Sequence, residues 1–212
     1  MFGTVLAVIK ARKIDNPHLF EIFCDIRDIS DYIIVSDEDR LLAPKEREML
    51  LEYFDVLMTT DTIDEINMGV FNPDWILSCY SDERPAHKQI HLYTSLCLNP
   101  DVNVWKSKCR FLWESEEYYR ADGQWNKFEF PILYRYCPEI NYKWKKALMP
   151  ANQPGPKEDW LLPFYSYHFI DERSRLIEYT QRQEEWDKML MTTKTFYESM
   201  FDETITLKKA VN

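Results

Sequence analysis

His168 stands in the run Tyr165-Ser166-Tyr167-His168-Phe169, just ahead of Asp171 and Glu172. An imidazole close to a carboxylate can move a proton near neutral pH, so His168 with Asp171 is the best catalytic candidate in the chain. The ordinary alternative is a packed histidine among aromatics with its ring nitrogens satisfied. His87 and His91, in His-Lys-Gln-Ile-His, have the spacing that would put two imidazoles on one helix face, as a zinc pair needs. Lys88 stands where a zinc protease would carry its general base, and in a strand the two rings would lie roughly 13 Å apart. Surface histidines are the plainer reading. The acidic runs Asp37-Glu38-Asp39 and Glu114-Ser115-Glu116-Glu117 supply oxygen ligands but no calcium-loop spacing, and read as solvated loops.

A second chemistry is stacking plus charge. Lys106, Lys108 and Arg110 alternate with Trp105, Cys109 and Phe111, and Tyr142-Lys143-Trp144-Lys145-Lys146 repeats the theme. Aromatic platforms beside cations are what single-stranded nucleic acid uses. The bland counterpart is a half-buried sheet whose Lys and Arg stems cover an apolar rim.

Several chemistries are missing. The chain has 4 glycines, at positions 3, 69, 123 and 155. Phosphate-binding loops, dinucleotide fingerprints and nucleophile elbows all need glycines close together, and none of those motifs is present. The 5 cysteines (Cys24, Cys79, Cys97, Cys109, Cys137) are odd in number and scattered, which suits free thiols in a reducing compartment. A net charge of -10 works against general attraction to phosphate, although the stretch from 103 to 146 carries an excess of basic residues. No run approaches the ~18 apolar residues of a membrane span, and the first nine residues lack the charge order of a secretion signal.

The elements that must position these groups read as α+β. Thr4–Ala11, His18–Ile26 and Tyr32–Val35 look like strands of an antiparallel meander. Pro44 opens a helix running to about Met58, with Leu50, Tyr53, Phe54 and Leu57 on one stripe, and Asp61 to Met68 reads as a second short helix. The alternation of Ile90, Leu92, Thr94, Leu96 and Leu98 suggests a strand, and Asp82 to Pro85 a charged loop. Trp105–Trp113 and Phe128–Tyr136 alternate as strands, with Pro131 implying an edge or a bulge. Asp122-Gly123 predicts a tight hairpin that would set Arg120 opposite Trp125. Asp171 to Phe201 reads as one long amphipathic helix whose seam includes Leu176, Trp186, Leu190, Tyr197 and Met200.

The expected architecture is therefore an antiparallel sheet with flanking helices and a long C-terminal amphipathic helix. It divides into an α+β domain over 1–148, a Pro-rich linker over 149–157 and a C-terminal helical segment over 158–212, packed on the same domain or on a partner. With no catalytic motif complete, the expected function is non-enzymatic protein interaction or assembly, self-association included, in the cytoplasm. A viral (phage) structural or accessory role, in a virion, is an impression of composition rather than the consequence of a motif. Partner contacts would fall on Trp186, Leu190, Tyr197 and Met200. One alternative is single-stranded nucleic-acid binding through Lys106, Lys108, Arg110, Tyr142, Trp144 and Lys145. The other is a hydrolase or nuclease centred on His168. No cofactor and no membrane contact is implied.

Overall fold

In a computed structural model the described residues are 3–12, 17–37, 40–58, 68–86, 90–138, 164–183, 189, 191–202 and 204–210. The first half is a run of parallel strands. β1 (Val5–Lys10) is followed by helix α1 (Leu19–Arg27), β2 (Tyr32–Ser36), helix α2 (Pro44–Leu50), β3 (Val56–Met58) and β4 (Trp75–Tyr80). β1 pairs in parallel with both β2 and β4, and β2 pairs in parallel with β3. The meander expected here is overturned, because His18–Ile26 contains a helix. Leu19, Ile22, Phe23 and Ile26 are buried at helical spacing, which lets α1 carry the chain back over the sheet.

β1 is covered on both faces. Val5, Ala7 and Ile9 enter the main core, whereas Leu6 and Val8 enter a second core on the opposite face. A strand buried on both faces reads as a continuous apolar run, which is the mark of a covered parallel sheet.

The second half is mostly antiparallel. After β5 (Glu83–Pro85) and α3 (Ile90–Leu96) come β6 (Val104–Trp113), β7 (Ser115–Arg120), β8 (Glu129–Arg135), β9 (Phe164–Ser166), helices α4 (Glu172–Gln183) and α5 (Met191–Glu198), and β10 (Leu207–Lys209). The mixed sheet runs β10-β7-β6-β8-β4-β1-β2-β3, with β5 and β9 paired beside β6. The strand expected over 88–98 is replaced by α3, whose Tyr93 and Leu96 are buried, with Cys97 buried just after it.

β6 keeps the expected alternation: Trp105, Ser107, Cys109, Phe111 and Trp113 are buried, and Lys106, Lys108 and Arg110 are half-buried on the other side. The register slips between Trp105 and Lys106 opposite Leu133 and Pro131, so Pro131 marks a bulge in an interior strand. Phe130, expected in the core, is 37% exposed and stacks on Phe128 instead. The Asp122-Gly123 hairpin does not form. The chain reverses earlier, at Glu114 with φ 63, and β7 pairs with β6 and β10. Gly123 still takes a positive φ of 51, in a turn that brings Trp125 beneath Arg120.

No single long C-terminal helix is present among the described residues: α4 and α5 are separate, with a bend at Met189. On α4 the predicted seam is not the buried face, since Leu176 is 54% exposed while its neighbour Arg175 is buried. The Pro-rich stretch 149–157 lies outside the described residues, as do Tyr142, Trp144 and Lys145.

Candidate active site at the carboxyl ends of β1 and β4

In the order β3-β2-β1-β4 the chain leaves β1 toward β2 and β3 and returns to β4 on the other side of β1, so the strand order reverses between β1 and β4. In open parallel sheets the crevice at such a reversal, outside the carboxyl ends of the strands, is where ligands bind. The end of β1 leads to Arg12 and the end of β4 leads to Ser81, Asp82 and Glu83. Backbone bonds fix the two ends together: Ser81 N donates to Lys10 O at 3.0 Å, and Arg12 N donates to Ser81 Oγ at 3.0 Å.

Three charged groups meet there. Arg12 NH1 lies 3.3 Å from Asp82 Oδ2, and its guanidinium stacks on Tyr80 at 3.3 Å from the ring centre. His168 Nδ1 lies 3.3 Å from the same Asp82 oxygen, and His168 Nε2 lies 3.3 Å from Glu178 Oε2. Glu178 Oε1 accepts in turn from Arg182 Nε at 2.9 Å and from the Tyr197 hydroxyl at 3.4 Å. β9 delivers His168 because Tyr167 N donates to Asp82 O at 2.9 Å, pinning the two turns to each other. The site thus joins the parallel half to α4 and α5.

Asp82 is fully buried, yet its Oδ1 has no hydrogen-bond partner, and neither does His168 Nδ1, whose approach to Asp82 is close but poorly aligned. Buried polar atoms are rarely left in that condition, and those that are call for an explanation. The rim is more open: the side chains of Arg12 and Arg182 are 30% and 42% exposed.

The electrostatics separate four titrating groups. Burial pushes Asp82 upward, but Arg12 and His168 outweigh it and hold the carboxyl below its usual range. Glu83 is pushed up to about 7 by burial; Arg12 opposes this and the Asp82 carboxylate adds to it. His168 is raised, because Asp82 and Glu178 outweigh the burial that would lower it. Glu178 falls to about 2: burial opposes the shift, and His168 and Arg182 dominate. One carboxyl poised near neutrality among others held ionised is the arrangement acid–base catalysis requires.

The other side of the β5–β9 ribbon carries a second cluster. Arg84 pairs with Asp25 of α1, the Tyr167 hydroxyl donates to Glu116 at 3.0 Å, and His18 stacks on Tyr167 with Nε2 3.1 Å from Glu116.

Of the residues singled out by sequence, His168 is in the site and Asp171 is not. Asp171 Oδ1 accepts from Ser174 N at 2.7 Å, so it caps the start of α4, and the carboxylates facing His168 come from Asp82 and Glu178. His91 lies on α3, and His87 lies outside the described residues. Among the described residues no group of three or more His, Cys, Asp or Glu could hold a metal ion. Of the partner candidates, Met200 is buried and Tyr197 half-buried in the chain's own aromatic cluster, and Trp186 and Leu190 lie outside the described residues. Arg110 leans on Tyr119 and donates to the Tyr165 hydroxyl at 3.4 Å. No described helix is long and apolar enough to cross a membrane.

Arg12, Asp82, Glu83 and Glu178 were missed by sequence reasoning. The available signal was the pair of apolar runs, Val5–Ile9 and Trp75–Cys79, each ending in polar residues, as strand ends at a crevice do. No protein-family model matches the sequence, and no curated protein matches it.

Proposed function

We propose that this chain is an enzyme that transfers or hydrolyses a group on a nucleotide-linked, hydroxyl-rich small molecule, a sugar nucleotide in chemical class. The observation that carries the reading is the convergence of Arg12, Asp82, Glu83 and His168 where the order of the parallel strands reverses. The order β3-β2-β1 matches one mononucleotide-binding half of a doubly wound sheet, and β4 beside β1 matches the first strand across its switch point. The glycine-rich phosphate loop of such folds is missing, so Arg12 and Arg182 at the rim are the groups offered to phosphate.

Inside the rim the demand is different. An ionised Asp82 has a spare acceptor and repels a phosphate oxygen, whereas a hydroxyl can donate to Asp82 and accept from a neighbouring N–H. Carboxyls of separated basicity also suit cleavage of a glycosidic C–O bond, with Glu83 as the proton donor and an ionised carboxylate stabilising positive charge.

The test is thermal shift and calorimetry of the full chain with uridine, guanosine, cytidine and adenosine diphosphates and their sugar conjugates. One nucleotide should stabilise the protein, by about 2.7 kcal/mol at a hundredfold excess over Kd, and its sugar conjugate should add to this. Asp82→Asn should remove the added part. No response to any nucleotide or conjugate would overturn the proposal.

The interaction and assembly reading, with its viral variant, would rest on Trp186 and Leu190, since Tyr197 and Met200 pack within the chain. For single-stranded nucleic acid, the half-buried Lys106, Lys108 and Arg110 leave a narrow platform.

A further inference from the structure

We infer that Glu178 is a positioning residue: it fixes His168 between two carboxylates and, through that contact, docks α4 on the carboxyl ends of β1 and β4. A neutral imidazole has one N–H and one lone pair. Here each ring nitrogen lies 3.3 Å from a carboxylate oxygen, Nδ1 from Asp82 and Nε2 from Glu178. Two carboxylates at that distance attract a charged ring, so the surroundings favour the doubly protonated imidazole even though Nδ1 is poorly aligned with Asp82.

The remaining groups around His168 favour the same state of Glu178. Arg182 of α4 and Tyr197 of α5 hold its second oxygen, so the carboxylate cannot swing away without losing both. From the sheet side, Arg12 opposes the imidazolium charge, and Asp82 and Glu83 support it. The Phe169 ring packs edge-on against the imidazole at 4.4 Å.

α4 has little else to hold it by apolar burial. Arg175 is its one buried residue, bonded to Phe169 O at 3.0 Å and stacked on Trp113; Tyr179 meets the Phe201 ring edge-on at 5.1 Å, and Leu176 and Ile177 are exposed. A helix attached by polar contacts follows the charge of its latch. Loss of the His168 proton therefore loosens α4 and moves Arg182 away from the rim. This holds whether or not the ligand proposed above binds.

The experiment combines an imidazole NMR titration of the full chain with amide hydrogen exchange of α4, corrected for the intrinsic pH dependence of exchange. In the unaltered protein His168 should keep both ring protons at pH 7, and α4 protection should fall with the same midpoint as the His168 titration. In Glu178→Gln, the His168 midpoint should drop by about one pH unit or more, and α4 should exchange faster at every pH. Glu178→Asp, which keeps the charge, should restore part of the His168 shift. A His168 midpoint unmoved by Glu178→Gln would overturn the inference. So would α4 protection that ignores the His168 titration in the unaltered protein, a measurement that requires no variant to fold.

Discussion

Arg120 and Arg12 both sit beside a carboxylate and an aromatic ring, yet they serve different ends. Arg120 is fully buried, with Nε and NH2 gripping Asp122 at 2.9 and 2.8 Å, NH1 on Ser199 O and NH2 3.3 Å from Asp202. The rings of Trp113 and Trp125 lie 4.8 and 4.9 Å away. Between them Ser199, Asp202 and the Asp122 turn tie the C-terminal segment to β7. Around Arg12 the charges are as dense, but Asp82 Oδ1 and His168 Nδ1 have no partner and the guanidinium is partly exposed. A saturated ionic cluster holds structure together; an unsaturated one with an open rim has capacity left for a ligand.

Removing Arg120 should break the saturated cluster at the largest cost. Arg120→Ala removes the donors to Ser199 O and Asp122, which keeps Thr206 N, and empties the space between Trp113 and Trp125, so it should destabilise by about 2–5 kcal/mol in urea unfolding, a typical figure for truncating a fully buried side chain. A loss under about 1 kcal/mol would erase the contrast between the two clusters. Asp82→Asn should cost less, about 1–2 kcal/mol, because Arg12 and His168 keep partial access to water, while the sugar conjugate loses its added stabilisation over the free nucleotide.

Glu83 sharpens the contrast through pH. Its carboxyl is raised from 4.5 to about 7, so between those values the folded protein holds a proton that the unfolded chain has released. Stability from this group therefore falls as pH rises from about 4.5 to 7, and the cost is fully present above 7. Glu83→Gln should raise stability at pH 8 by about 1–2 kcal/mol and leave it nearly unchanged at pH 4, as urea unfolding at the two pH values would show. Glu178 has the opposite sign: its contribution is complete above about 4.5 and is lost as pH falls toward 2. The smallest effect should come from Asp171→Ala, about 1 kcal/mol from a lost helix cap, with the His168 titration unmoved. A shift there would return Asp171 to the site.

β6 was legible because one of its faces packs a core and the other carries Lys106, Lys108 and Arg110, so side chains alternate along it. β1 and β4 were legible as strands, but not in their direction. Both faces of β1 are covered, which leaves no alternation, and an apolar run contains nothing that sets its neighbour's orientation. Reading His18–Ile26 as a strand then removed the crossover that makes the sheet parallel, and with it the crevice. The spacing of Leu19, Ile22, Phe23 and Ile26 was the corrective signal.

By itself the sequence determined the α+β class, the free thiols and the strand with a basic side, and it offered His168 as a candidate. These follow from residue type and local period, which a linear chain carries. The tertiary structure decided which acids face His168. Asp171 is three positions away but turns to cap its own helix, while Asp82, 86 residues earlier, and Glu178 on α4 converge on the ring. A local hydrogen bond can be anticipated from spacing, but a meeting of strand ends and a helix depends on sheet order, which no short stretch of this chain encodes.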